Sequence, residues 1–139
     1  MIPAVFLTSV LATYIGIETY SLEVERLIIK DQKLPKNFHN LRVVFISDLH
    51  HGIFSSGKRL QKMVKKINDL HPDLILLGGD YLQTYKTKRN KQTQALYELR
   101  DILAQLKKPE FGIFSVSGNH DHVYNVETIK TELDILMIV

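Results

Sequence analysis

The chain has 139 residues and a mass of 16.0 kDa, room for one domain with a proper core. Hydrophobic residues at 45% and charged residues at 24% exclude wholesale disorder, collagen-like repeats and a multi-span membrane protein, and the lack of cysteine excludes disulfides, zinc fingers, iron–sulfur clusters and thiol nucleophiles. The net charge of +3, from 18 basic and 15 acidic residues, is too slight to argue for nucleic acid.

Residues 1–17 carry no side-chain charge. As a helix at ~1.5 Å per residue they reach about 25 Å, the low end for crossing a bilayer. A membrane anchor is the first expectation. A buried or interfacial N-terminal helix is the alternative. A cleaved signal fits less well, because no Lys or Arg opens the segment. Arg26, Lys30, Lys33 and Lys36 come after it, which favours the downstream domain inside.

Residues 22–30 (LEVERLIIK) mix apolar and charged positions and predict a strand. Lys33 to Asn40, with Pro35 and Asn37, predicts a connecting loop. Three apolar runs of strand length come next, Leu41–Ser47, Leu74–Gly78 and Ile113–Ser117, uniform enough to predict strands buried on both faces. Between the first two, Lys58–Leu70 predicts an amphipathic helix with Leu60, Met63, Val64, Ile67 and Leu70 inward, stopped by Pro72. Lys58, Arg59, Lys62, Lys65 and Lys66 form its other face, a solvated stripe or a contact for an anionic membrane surface. Lys86–Lys91 predicts a basic loop. Gln92–Leu106 predicts a second helix with Leu96, Leu99, Leu103 and Leu106 inward. Asn125 predicts the cap of a third over Val126–Leu136, with Ile129 and Leu133 inward. Strand and helix alternate, the α/β pattern.

The chemistry lies at the carboxyl end of each apolar strand. The first ends in Ser47-Asp48-Leu49-His50, the second in Gly78-Gly79-Asp80, the third in Gly118-Asn119-His120-Asp121. In α/β sheets ligands bind beyond the carboxyl ends of the strands, so three strands deliver Asp, His, Asp, Asn and His to one edge. Carboxylates and imidazoles suit borderline divalent metals such as Mn, Fe and Zn. Asp48 and His50, two apart, face the same way if that segment is extended. Each block alone is a common turn or surface pattern. Their conjunction, in order and each at a strand end, points to a metal site.

These blocks resemble the calcineurin-like metallophosphoesterase superfamily, whose pattern is Asp-x-His, Gly-Asp, and Gly-Asn-His-Asp or -Glu. The likeness covers roughly residues 40–139. The uncharged N-terminal segment resembles the membrane-associated branch, which includes enzymes acting on UDP-diacylglucosamine-type lipid intermediates. The resemblance implies a sandwich of two sheets flanked by helices, of which this chain supplies the N-terminal half, preceded by an apolar helix. The domain layout it implies is residues 1–17 as anchor or apolar helix and 18–139 as an incomplete phosphoesterase domain. It implies two divalent metal ions, with Asp48 and His50 on the first, Asp80 bridging and Asn119 on the second. His120 would contact the phosphate and protonate the leaving oxygen, and Asp121 would orient His120. Two such ions activate a water that attacks phosphorus in line with the leaving group. His51 and His122 adjoin the motifs and are candidates for substrate contact.

The superfamily pattern continues with a further His and then Gly-His-x-His, and neither occurs here. The expectation is therefore a fragment of a longer enzyme, with exposed apolar surface where the second half would pack. The leading reading is a membrane-associated, metal-dependent hydrolase of phosphoesters, its substrate lipid-linked, with no nucleic-acid or protein partner. The alternatives are a non-catalytic remnant and a membrane-surface binding module.

Overall fold

Three short strands, β1 (Val43–Ile46), β2 (Leu74–Leu77) and β3 (Ile113–Ser115), pair in parallel in the order β1-β2-β3. This computed structural model describes residues 22–52, 55–83 and 89–134. The chain divides into two compact units, Met1–Lys33 and Leu34–Val139. Parallel neighbours need a crossover, and here each crossover carries a helix. α1 (Gly57–Leu70) joins β1 to β2, and α2 (Arg89–Leu103) joins β2 to β3. A short α3 (Asn119–Tyr124) and then α4 (Val126–Asp134) come after β3. The α/β class and the order of elements agree with the sequence pattern.

Helix ends obey local chemistry. Ser56 is the N-cap of α1, its side chain accepting the Arg59 N–H at 3.4 Å. The helix stops at His71, which turns left-handed (φ 49°) just before Pro72. The Arg42 guanidinium donates to the carbonyls of Leu70 (2.5 Å) and His71 (3.2 Å), which would otherwise lack partners. Asn125 caps α4 as expected, its Oδ1 accepting from the Thr128 N–H at 3.2 Å.

The core is the apolar side of the helices against β2 and β3. Leu60, Met63, Val64 and Ile67 of α1, Leu96, Leu99, Ile102 and Leu103 of α2, Ile129 and Leu133 of α4, and Ile75, Leu77 and Ile113 of the sheet are all buried. Lys58, Lys62, Lys65 and Lys66 lie on the exposed side of α1, as its periodicity predicts.

Several expectations are corrected. Residues 22–30 take no regular secondary structure, and Leu27, Ile28 and Ile29 are exposed. A mix of apolar and charged positions does not by itself make a strand; a strand needs a hydrogen-bonded neighbour. Residues 36–38 form one 3₁₀ turn inside the expected loop. Residues 89–91 of the expected basic loop are already in α2, and 86–88 lie outside the described residues. The strands are not buried on both faces. Phe45, Leu76 and Phe114 stand in register in one row across the sheet, and Phe45 and Phe114 are 67% and 41% exposed. Val43 and Val116 are exposed as well. One face is thus packed on helices and the other is open and apolar, the surface expected of half a sandwich. The expected apolar N-terminal helix over 1–17 lies outside the described residues.

Leu99 is fully buried at the centre of α2. Truncation to Ala leaves a cavity there, so Leu99→Ala should lower unfolding free energy by about 2–5 kcal/mol in a urea titration.

Candidate metal centre

All three motif blocks come to the carboxyl edge of the sheet. Main-chain pairing runs on past the strand ends: Asp48 N–H donates to Gly79 O (3.1 Å), His50 N–H to Asp80 O (2.9 Å) and His51 N–H to Tyr81 O (2.9 Å). The turn after β1 is thereby laid along the turn after β2. Asp48, His50 and Asp80 all have left-handed backbone, with φ of 58°, 42° and 55°. Asp and His are among the few residues other than Gly that tolerate this region, and its cost of about 1–3 kcal/mol each is characteristic of functional sites. The segment is therefore not extended, which corrects the expected geometry of the Asp48–His50 pair. They meet regardless, with Asp48 Oδ1 3.4 Å from His50 Nε2.

Gly79 and Gly118 allow the third block to close in. Gly79 has φ 88°, and a Cβ there would strike the backbone of Ser117 and Gly118. A Cβ on Gly118 would strike the Asp80 carboxylate. With hydrogen alone at both positions, the His120 N–H reaches Asp80 Oδ1 at 2.9 Å, and the rings of His50 and His120 meet edge to face with centroids 4.7 Å apart.

The result is a cluster. One donor atom each from His50, Asp80 and His120 lies within 4.8 Å of the others. Asp80 is buried and the two histidines are half-buried. His50 Nδ1 is buried with no hydrogen-bond partner. Two imidazoles and a buried carboxylate, with the Asp48 carboxylate alongside, are the donors a borderline divalent cation takes. A buried ring nitrogen without a partner is one that a bound cation would satisfy. The donor set fits a divalent metal.

The remaining candidates divide. Asn119 is exposed at the first position of α3. His122 is exposed, its Nε2 3.3 Å from Ser117 Oγ. His51 is only 3% exposed, and its ring meets Ser55 O and Glu98. Asp121 is completely buried, and its oxygens accept three main-chain N–H groups: Tyr81 on Oδ1 (3.0 Å), and Asp80 (2.8 Å) and Gly118 (2.8 Å) on Oδ2. The resemblance has Asp121 orient His120. The structure gives its carboxylate to the backbone that carries Asp80.

Sequence reasoning missed Tyr81 and Glu98. Tyr81 comes directly after Asp80, is buried, and its hydroxyl donates to Val116 O at 3.1 Å. Nothing in its local pattern marked it. Burial chiefly pushes its phenol up to about 12, the nearby Asp121 charge adding and a Ser115 hydrogen bond opposing.

Residues 41–136, well over half of the chain, match the calcineurin-like phosphoesterase family. The chain belongs to that family. It is 32% identical over 121 residues to a transmembrane protein with metallophosphoesterase domain from Danio rerio, covering 86% of this chain and 26% of that protein. It is 34% identical over 109 residues to the UDP-2,3-diacylglucosamine pyrophosphatase LpxG of Chlamydia muridarum, covering 76% of this chain and 30% of that enzyme. An uncharacterized metallophosphoesterase of Aquifex aeolicus is 32% identical over 118 residues, 84% of this chain and 41% of that protein. The chain thus spans less than half the length of these relatives.

The supports of the site can be tested through stability. Asp121→Ala leaves three inward N–H groups without an acceptor, at about 1–3 kcal/mol each, so the urea midpoint should fall by the equivalent of at least ~3 kcal/mol. Asp121→Asn, which keeps one accepting oxygen, should fall less. Tyr81 in the folded chain keeps a proton that the unfolded chain releases above its ordinary value of 10.0. Its contribution to stability is complete below pH 10 and lost as pH rises toward about 12. Tyr81→Phe should flatten the decline in melting temperature over that window, on top of a small loss at pH 7 from the missing bond to Val116 O.

Proposed function

We propose that the chain forms part of a metal-dependent phosphoester hydrolase. The convergence of His50, Asp80 and His120 at the edge of three parallel strands, in a member of this family, is the observation that supports it. In this reading Asp48 and His50 would hold one divalent ion, Asp80 would serve it and a second, Asn119 would join the second, and His120, within reach of the same cluster, would be left to the substrate. Such ions supply Lewis-acid activation of water and neutralise phosphate oxygens.

The chain's own residues do the rest. Asp80, buried and fixed by the His120 N–H on Oδ1, presents its other oxygen without reorientation. The His120 ring, beside His50, meets the substrate phosphate and passes a proton to the leaving oxygen. Asp121 holds Asp80, Tyr81 and Gly118 in place, so the edge is preorganised before substrate arrives.

The substrate class we favour is a phosphoester or pyrophosphate attached to a lipid, at a membrane. Similarity to the pyrophosphatase LpxG supports the first part, and relatives named as transmembrane proteins support the second. Residues 1–17 are the proposed anchor. Among the described residues no helix is long and apolar enough to cross a membrane.

Asp80→Asn is the direct test. Asn keeps Oδ1 for the His120 N–H and removes the charge. Changing a residue that merely supports a ligand costs about 10–100-fold, and loss of a shared ligand should exceed that. Hydrolysis of bis(p-nitrophenyl) phosphate with Mn²⁺ should therefore fall more than 100-fold in the variant, with an unchanged melting temperature. Equal rates in the two proteins would refute the assignment.

A further inference from the structure

His51, which adjoins the first motif block, is only 3% exposed, and its ring takes no part in the donor cluster. Its Nδ1 lies 2.9 Å from Ser55 O and its Nε2 3.1 Å from Glu98 Oε2. A carbonyl only accepts, so Nδ1 carries a hydrogen. Nε2 in turn faces the Glu98 carboxyl, so both ring nitrogens are engaged away from the donor cluster. Its backbone is equally committed, with N–H to Tyr81 O (2.9 Å) and O accepting from the Gln83 N–H (3.0 Å). His51 is therefore bolted to the turn that carries Asp80, one residue after the donor His50.

Glu98 lies on α2, 47 residues away in sequence. Its side chain is 53% exposed, yet one oxygen meets the buried His51. Its other oxygen lies where a Cβ at Gly57, the first residue of α1, would be. Helix 57–70 thus opens on a residue small enough to admit the carboxylate between α1 and the turn after β1.

We propose that Glu98 is a positioning residue of the metal centre. Acting through His51, it fixes the turn that carries His50 and so sets where that donor stands relative to Asp80. This rests on the metal-centre reading above, and it adds a residue that lies in none of the three motif blocks.

The test uses the full chain with Mn²⁺ alone as probe. Wild type, Glu98→Ala, Glu98→Gln and Gly57→Ala are titrated calorimetrically, and amide hydrogen exchange at His51 and Gln83 is measured without metal. Partners that orient a ligand are worth about 10–100-fold in metal affinity. Glu98→Ala should weaken Mn²⁺ binding about tenfold or more and speed exchange at both amides. Gly57→Ala, which leaves Glu98 intact but displaces it, should do the same. Glu98→Gln, whose amide can donate to or accept from Nε2, should stay within about threefold of wild type. Glu98→Ala leaves the buried His51 Nε2 without its partner and should melt somewhat lower, so the titrations are made where every variant is folded. Tight binding and slow exchange in Glu98→Ala would overturn the proposal and leave the metal centre standing. A folded wild type that takes up no Mn²⁺ would overturn the metal centre itself, and with it the role given to Glu98.

Discussion

The site depends on one buried carboxylate. Asp121 is wholly removed from water and would be costly there if its charge were unmatched. Three main-chain N–H groups, from Asp80, Tyr81 and Gly118, match it. Hydrogen bonds to an ionised acceptor are stronger than neutral ones, and a low-dielectric interior strengthens them further. The turn after β2 is thus tied to the turn after β3 by a side chain on α3 rather than by sheet pairing, which ends at Ser115. The close approach of Gly79 to Gly118 and the reach of the His120 N–H to Asp80 both presuppose this tie.

A second tie joins the first and second turns. There the backbone makes the connection, through the bonds of Asp48, His50 and His51 to Gly79, Asp80 and Tyr81. The helices act on the turns from outside, α3 through Asp121 and α2 through Glu98. The packed face of the sheet supplies the rigid base. In β2 and β3 the inner residues, Ile75, Leu77 and Ile113, are buried against the helices.

Much of this was legible in the sequence because it is local. The blocks Asp48–His50, Gly79–Asp80 and Gly118–Asp121 each come after a short apolar run, and the parallel topology carries all three to one edge. The amphipathic pattern of Lys58–Leu70 and the cap at Asn125 were equally direct. What escaped depends on contacts between distant segments. No spacing rule connects Glu98 to His51. The partners of Asp121 are backbone amides, which every sequence has and no sequence displays. The open row of Phe45, Leu76 and Phe114 looked like a doubly buried strand because apolar residues report a tendency to be covered, not whether something covers them. Residues 22–30 misled for a related reason: their mixed apolar and charged pattern suited a strand for which pairing was still required.

The left-handed backbone at Asp48, His50 and Asp80 restricts which residues those positions can accept. Steric rules there admit Gly, Asn, Asp and, less readily, His, and exclude the β-branched side chains. The residues that bind divalent ions well overlap that short list. On the proposed assignment, geometry and chemistry filter the same three positions independently. Chains of this kind that lose the metal have an easy route through Asn or Gly, which the backbone accepts, and a hard one through Val or Ile, which it does not. A drifting descendant would thus keep the shape of the edge well after its chemistry had gone, with Asn and Gly standing where Asp and His now stand.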